Sequence, residues 1–138
     1  MICLTLALGG LACGRKGDPI PRSRAAPAVC SVRWVSLRNL EITLPLKDVQ
    51  GDELVGVERV RVYFLPVGYA KPSPGEVLAR GEVIFEKRRP DLPDPGRSLA
   101  LDLKDITRPA GWIVVVSVRI GEVVGVPSEV LTWMDPLI

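Results

Sequence analysis

Three short stretches alternate apolar with polar or small residues at a period of two: Leu40-Glu41-Ile42-Thr43-Leu44, Val60-Arg61-Val62-Tyr63-Phe64 and Leu99-Ala100-Leu101-Asp102-Leu103. Successive side chains of an extended strand point to opposite faces, so this period buries one face and leaves the other in water. Wound into a helix, the same residues would scatter their apolar groups around the whole circumference. The pattern therefore restricts this part of the chain to half-buried strands of antiparallel sheets.

Two further runs extend the reading. Trp112-Ile113-Val114-Val115-Val116-Ser117-Val118-Arg119 is apolar on both faces, as a central strand would be, and Val83-Ile84-Phe85 is a short edge or bulged segment. Both are rich in strong β-formers. Turn chemistry separates the runs: Asp48-Val49-Gln50-Gly51-Asp52, the stretch from Pro66 to Gly75, Pro90 to Gly96, and Gly121 with Gly125. About seven strands are predicted, at 31–36, 39–44, 57–65, 76–86, 98–103, 112–119 and 126–133, with no helix. Short strands at this spacing make an all-β, immunoglobulin-like antiparallel sandwich.

The front of the chain follows different rules. Leu4-Thr5-Leu6-Ala7-Leu8-Gly9-Gly10-Leu11-Ala12-Cys13 is apolar, and Gly14-Arg15-Lys16-Gly17-Asp18-Pro19 then brings charge and proline. Residues 1–12 are too few to cross a bilayer as a helix, which takes about 20. They have the character of a secretory signal, although such signals usually run about 15–30 residues with a basic start. No Lys or Arg precedes Cys13, so the natural start is expected further upstream. Residues 14–28 combine Pro, Gly and charge with little apolar content and are predicted to be an extended tether. At roughly 3.3 Å per residue its reach is about 50 Å, which lets the following domain, 29–138, float near a membrane rather than lie in it.

Composition excludes several classes of chemistry. Histidine is absent, which removes histidine general acid–base catalysis, Ser-His and Cys-His pairs and the usual zinc sites. The net charge of +2 and pI near 8.5 provide no basic field for nucleic acid. Of the three cysteines, Cys3 lies in the signal and Cys13 at its end, leaving Cys30, which is expected to be buried and inert. The carboxylate neighbours Asp102 and Asp105, Glu82 and Glu86, and Asp91 and Asp94 are adjacent within single loops or strands. Paired-carboxylate hydrolysis needs two groups facing each other across a cleft. The chain is therefore expected to be neither an enzyme nor a metal or cofactor binder.

The run ending at Ala12-Cys13 resembles the bacterial lipoprotein signal, or lipobox. That resemblance implies cleavage between Ala12 and Cys13, diacylglycerol on the Cys13 thiol and an acyl group on its new amine. Gly14, standing where an inner-membrane retention aspartate would be, implies sorting to the outer membrane, facing the periplasm or the cell surface. Cys13-Gly14-Arg15-Lys16-Gly17 also looks like the start of short lipoproteins associated with outer-membrane assembly.

A second resemblance, to fibronectin type III domains, covers residues 29–134. Ile106, Pro109 and Trp112 fall at the corner before a long strand, followed by Val114, Val116 and Val118, then Gly121, Gly125 and Ser128. Trp112 stands where that family has a tyrosine, and a core tryptophan in the second strand is missing.

These features lead to a membrane-anchored, non-catalytic binding or structural module of the cell envelope, with another envelope protein as partner. Arg59, Arg61 and Tyr63, predicted on one outer sheet face, form its candidate binding surface, since Arg and Tyr are favoured at interfaces. A carbohydrate-binding or enzyme-accessory domain using Trp34 and Trp133, or an outer-membrane assembly factor, are the alternatives.

Overall fold

The computed structural model describes residues 25–68 and 70–134. They form two antiparallel sheets packed face to face, so the chain is an all-β sandwich. One sheet joins β1 (Ser31–Ser36), β2 (Asn39–Thr43) and β5 (Ser98–Asp102) in the order β1-β2-β5. The other contains β3 (Val57–Pro66), β4 (Glu82–Arg88), β6 (Gly111–Arg119), β7 (Val123–Val124) and β8 (Leu131–Trp133). Its order is β4-β3-β6-β7, and β8 also pairs with β6. A single short helix, α1 (Pro74–Arg80), joins β3 to β4 among the described residues.

The alternating stretches behave as their period requires. Leu40 and Ile42 of β2, with Leu44 just beyond it, meet Leu101 and Leu103 on the inner face of the small sheet. Val60, Val62 and Phe64 of β3 meet Ile113 and Val115 of β6 on the inner face of the large one. All of these are essentially inaccessible to water. Burying each aliphatic or aromatic side chain of this kind contributes about 1.5–3 kcal/mol against leaving it exposed. Trp133 closes one end of the core, with its ring centroid 6.1 Å from both Phe64 and Trp34.

Strand β6 is buried on both faces, as its composition predicts. Outward Val114 packs with Val77 of α1, Val130, Tyr63, Leu65 and Trp112 in a second, smaller cluster. Helix α1 is thus the lid of the outer face, and it replaces the first part of the strand expected at 76–86, of which 82–86 stand in β4. Ser73 caps it: the Ser73 hydroxyl accepts from the Glu76 amide at 3.2 Å, and the Glu76 carboxylate accepts from the Ser73 amide at 3.3 Å. With Pro74 in the first turn and Arg80 four residues after Glu76, the local signals are those of a helix start and end. The helix buries one residue, Val77, so it is too short to display a period. At Gly81 a Cβ would lie 2.5 Å from the Val77 carbonyl oxygen and 2.7 Å from that of Phe64. Only glycine lets the chain turn from helix into β4 so tightly.

The predicted strand at 126–133 is a second correction. Only Val123–Val124 and Leu131–Trp133 pair with β6, and the residues between leave the ladder. Pro127 has no N–H to give, and Ser128 takes over the hydrogen bonding. Its hydroxyl accepts from the Val115 amide at 2.9 Å and donates to the Glu129 carbonyl at 2.9 Å, while its own amide donates to the Val115 carbonyl at 3.0 Å.

The end of the predicted tether also differs. Residues 25–28 pack along the domain: Ala28 N–H donates to the Lys47 carbonyl at 3.1 Å, and Val49 N–H to the Ala26 carbonyl at 2.8 Å. Arg119 Nη1 donates to the Ala25 carbonyl at 2.7 Å. Pro27 is buried against Gly125, and backbone groups and one buried guanidinium complete the docking.

Replacing Ser128 by Ala leaves the buried Val115 amide without an acceptor and is expected to destabilise the domain by about 1–3 kcal/mol. Ser73→Ala removes only a cap, at about 1 kcal/mol. Equilibrium urea unfolding of the two variants measures both, and an unchanged midpoint for Ser128→Ala refutes the role given to its hydroxyl.

Candidate functional site

The predicted surface residues all come from β3. The period-two geometry puts Arg59, Arg61 and Tyr63 on the outer face of the large sheet, opposite Val118, Val116 and Val114 of β6. Tyr63 does not stand free, because it packs into the cluster beneath α1. The two arginines occupy the stretch of face that the helix leaves open. Their side chains are only 12% and 13% exposed, and their aliphatic stems stand beside the fully buried Val116 and Val118.

Carboxylates from two neighbouring segments converge on these guanidinium groups. Arg61 Nε donates to Glu86 of β4 at 2.7 Å, and Arg61 Nη2 donates to both oxygens of Glu122 at 2.9 Å. Arg59 pairs with Glu122, with Glu58 at 3.5 Å and with Glu86 at 3.9 Å. Glu122 reaches them from the turn between β6 and β7, held there in a left-handed backbone conformation at φ 63°. Glu86 also receives Arg88 at 3.1 Å. The hydrogen bond from Arg61 holds the Glu86 carboxyl below its ordinary range, as it does that of Glu122, and the same bond to Glu86 raises Arg61.

The arrangement is a balanced two-arginine, multi-carboxylate plate rather than a bare cationic patch. An anionic partner would have to displace Glu86 and Glu122 to reach the arginines. Arg59 Nε is buried there with no hydrogen-bond partner. Sequence reasoning found the two arginines from their outward register but missed their partners. Glu86 and Glu122 lie 25 and 61 residues from Arg61, and no local pattern connects them.

The tryptophans separate into different environments. Trp133 is fully buried, its indole N–H donates to the Arg108 carbonyl at 3.3 Å, and the Arg38 guanidinium lies 3.7 Å from its ring centroid. Arg38 also donates to the Met134 carbonyl. Trp34 is half-buried and donates to the Thr132 carbonyl at 3.0 Å. Trp133 therefore presents no open ring face to a sugar. Trp112 lines a cavity of about 500 Å³ with Leu65, Pro66, Lys71, Pro72 and Arg80. Its indole N–H has no partner. The bond tying the 103–110 corner to the sheet is made by Trp133 instead.

Of the acidic neighbours noted in the sequence, three make ion pairs, none of them with a second carboxylate across a cleft. Glu82 pairs with Arg108 at 3.0 Å, Glu86 with the arginines above, and Asp102 with Lys104 at 3.7 Å. Among the described residues no cluster of three His, Cys, Asp or Glu side chains is placed to hold a metal ion. Cys30 is buried, and burial pushes its thiol up to about 11, an effect the nearby Ser117 hydroxyl partly offsets. Ala12, Cys13 and Gly14 lie outside the described residues, within which no helix is long and apolar enough to cross a membrane.

Because Glu86 and Glu122 are depressed in the folded protein, their pairing with Arg61 stabilises it above the ordinary carboxyl value of 4.5. That contribution is lost as pH falls through the depressed folded values. Glu86→Gln is expected to lower the urea midpoint at pH 7 and to flatten its decline between pH 5 and 3. A slope identical to the parent's contradicts the pairing. No protein-family model matches the chain, and no curated protein matches it.

Proposed function

We propose that the chain is a lipid-anchored, non-catalytic binding or structural module of a bacterial cell envelope. The observation that carries this reading is the apolar run ending in Leu11-Ala12-Cys13, with charge and proline immediately after it. In it, Cys13 bears diacylglycerol and an N-acyl chain, and Gly14 directs the protein to the outer membrane. The sandwich is held beyond the lipid to contact another envelope protein. A single acyl chain binds membranes only marginally, so the two lipid signals at one residue are what make the attachment stable.

The strand partition supports the fibronectin type III-like reading. The first, second and fifth strands form one sheet, and the long third and sixth strands lie side by side in the other. Among the outer strands, β4 is blunted by Glu82, Glu86, Lys87 and Arg88. Strand β1 has the more open edge: Ser31–Ser36 carries one charged residue, Arg33, and Val35 is 53% exposed. An extended partner segment adding to β1 would complete its hydrogen bonding.

Metabolic labelling with a fatty-acid analogue tests the anchor. The parent is expected to take up label and Cys13→Ala to lose it; label retained by the variant refutes lipidation at Cys13. Sorting is tested separately by Gly14→Asp, expected to move the protein from outer-membrane to inner-membrane fractions. An unchanged distribution removes the role of Gly14.

A further inference from the structure

Large exposed apolar side chains stand at both ends of the sandwich, with Leu37, Val67 and Met134 at one and a larger group at the other. The strand registers and the hydrogen bonds between loops place residues 25–30, 44–56, 89–97 and 120–126 at one end of both sheets. Leu46, Val49, Val55, Ile120 and Val126 are there, 64%, 54%, 54%, 68% and 41% exposed. Backbone hydrogen bonds join the loops that carry them. Val49 N–H donates to the Ala26 carbonyl at 2.8 Å, Val126 N–H to that of Pro27 at 3.0 Å, and Ile120 N–H to that of Gly56, next to Val55, at 3.1 Å. Single exposed aliphatic residues are ordinary, whereas several on adjoining loops mark a contact surface.

The same end receives the N-terminal segment. Ala25 is fixed there by Arg119, and Arg119 meets Asp48 at 3.8 Å with both side chains almost wholly buried. Only residues 14–24 separate this point from Cys13, a reach of at most roughly 40 Å. A lipid on Cys13 therefore brings these loops, of all the domain, nearest to the bilayer.

We infer that this end of the sandwich rests in the interfacial layer of a lipid bilayer, with Val49, Val55, Ile120 and Val126 inserted at the boundary between headgroups and acyl chains. This rests on the lipid-anchor reading above and replaces a freely floating domain with a docked one. The attraction is apolar. Lys47 is outnumbered by Asp52 and Glu53 on its loop, Arg89 and Arg97 are matched by Asp91 and Asp94 on the next, Arg119 and Asp48 neutralise each other, and Glu122 adds a negative charge, so these loops carry no cationic surplus. Docking is accordingly expected to be insensitive to salt, unlike a polybasic contact with anionic lipid.

The test uses the full lipidated chain carrying either Ile120→Trp or Leu37→Trp, the second lying at the opposite end of the sandwich. Each is added to vesicles of phosphatidylethanolamine and phosphatidylglycerol with brominated acyl chains. Both are expected to co-sediment, with added emission from Ile120→Trp blue-shifted and quenched and that from Leu37→Trp unchanged, at low and high salt alike. Adding Val49→Asp and Val126→Asp to the Ile120→Trp chain should abolish quenching while co-sedimentation persists. Co-sedimentation with equal emission from the two tryptophan positions overturns docking and leaves the anchor intact. Quenching that disappears at high salt overturns the apolar mechanism. Failure of the parent to co-sediment overturns the anchor and the docking together.

Discussion

Burial of β6 on both faces is the constraint from which the rest of the architecture follows. A strand that carries Ile113 and Val115 on one side and Val114, Val116 and Val118 on the other needs cover in both directions. The small sheet supplies it on the inner side. On the outer side α1 covers the half nearest Trp112, and the arginine stems of β3 flank the half nearest Arg119. The plate of ion pairs over Val116 and Val118 is therefore a consequence of the core as much as a surface ornament. Guanidinium groups lying against buried valines must find their carboxylates along the face, and Glu86 and Glu122 provide them. Exposed ion pairs usually contribute less than about 1 kcal/mol each, so their value here lies in orienting the stems.

Much of the sandwich is legible in the sequence because period-two alternation is local information. Leu40, Ile42 and Leu44, or Val60, Val62 and Phe64, declare their face without reference to any partner. The faces of β2, β3 and β5 could be assigned in this way, and β6 was recognised by being apolar on both. What escaped was determined by hydrogen bonds. The capping box at Ser73 and Glu76 was passed over, because a helix with one buried residue produces no periodicity to draw the eye to it. The break between β7 and β8 depends on a serine hydroxyl reaching an amide 13 residues away.

The candidate surface divides along the same line. Outward positions for Arg59 and Arg61 follow from alternation, and the half-burial of Tyr63 does not, because its cover comes from α1. The carboxylates that complete the arginine plate come from a neighbouring strand and a distant turn. For the proposed anchor the situation is reversed. Cys13 and its flanks are readable only as sequence, as a compositional boundary between apolar, small and charged residues.

The docking of residues 25–28 also has a mechanical meaning. Tension entering through the N-terminal segment would meet, in turn, the Arg119 bond to Ala25, the Val49 bond to Ala26, the Val126 bond to Pro27 and the Ala28 bond to Lys47. These are loaded one after another, as in opening a zipper, and each resists with the modest strength of a single hydrogen bond, about 0.5–1.5 kcal/mol net. A pull strong enough to peel them lengthens the linker by four residues and leaves β1 paired with β2. The segment is thus a short extensible coupling placed ahead of the core, so that a pull from the N-terminal side is taken up before it reaches the strands.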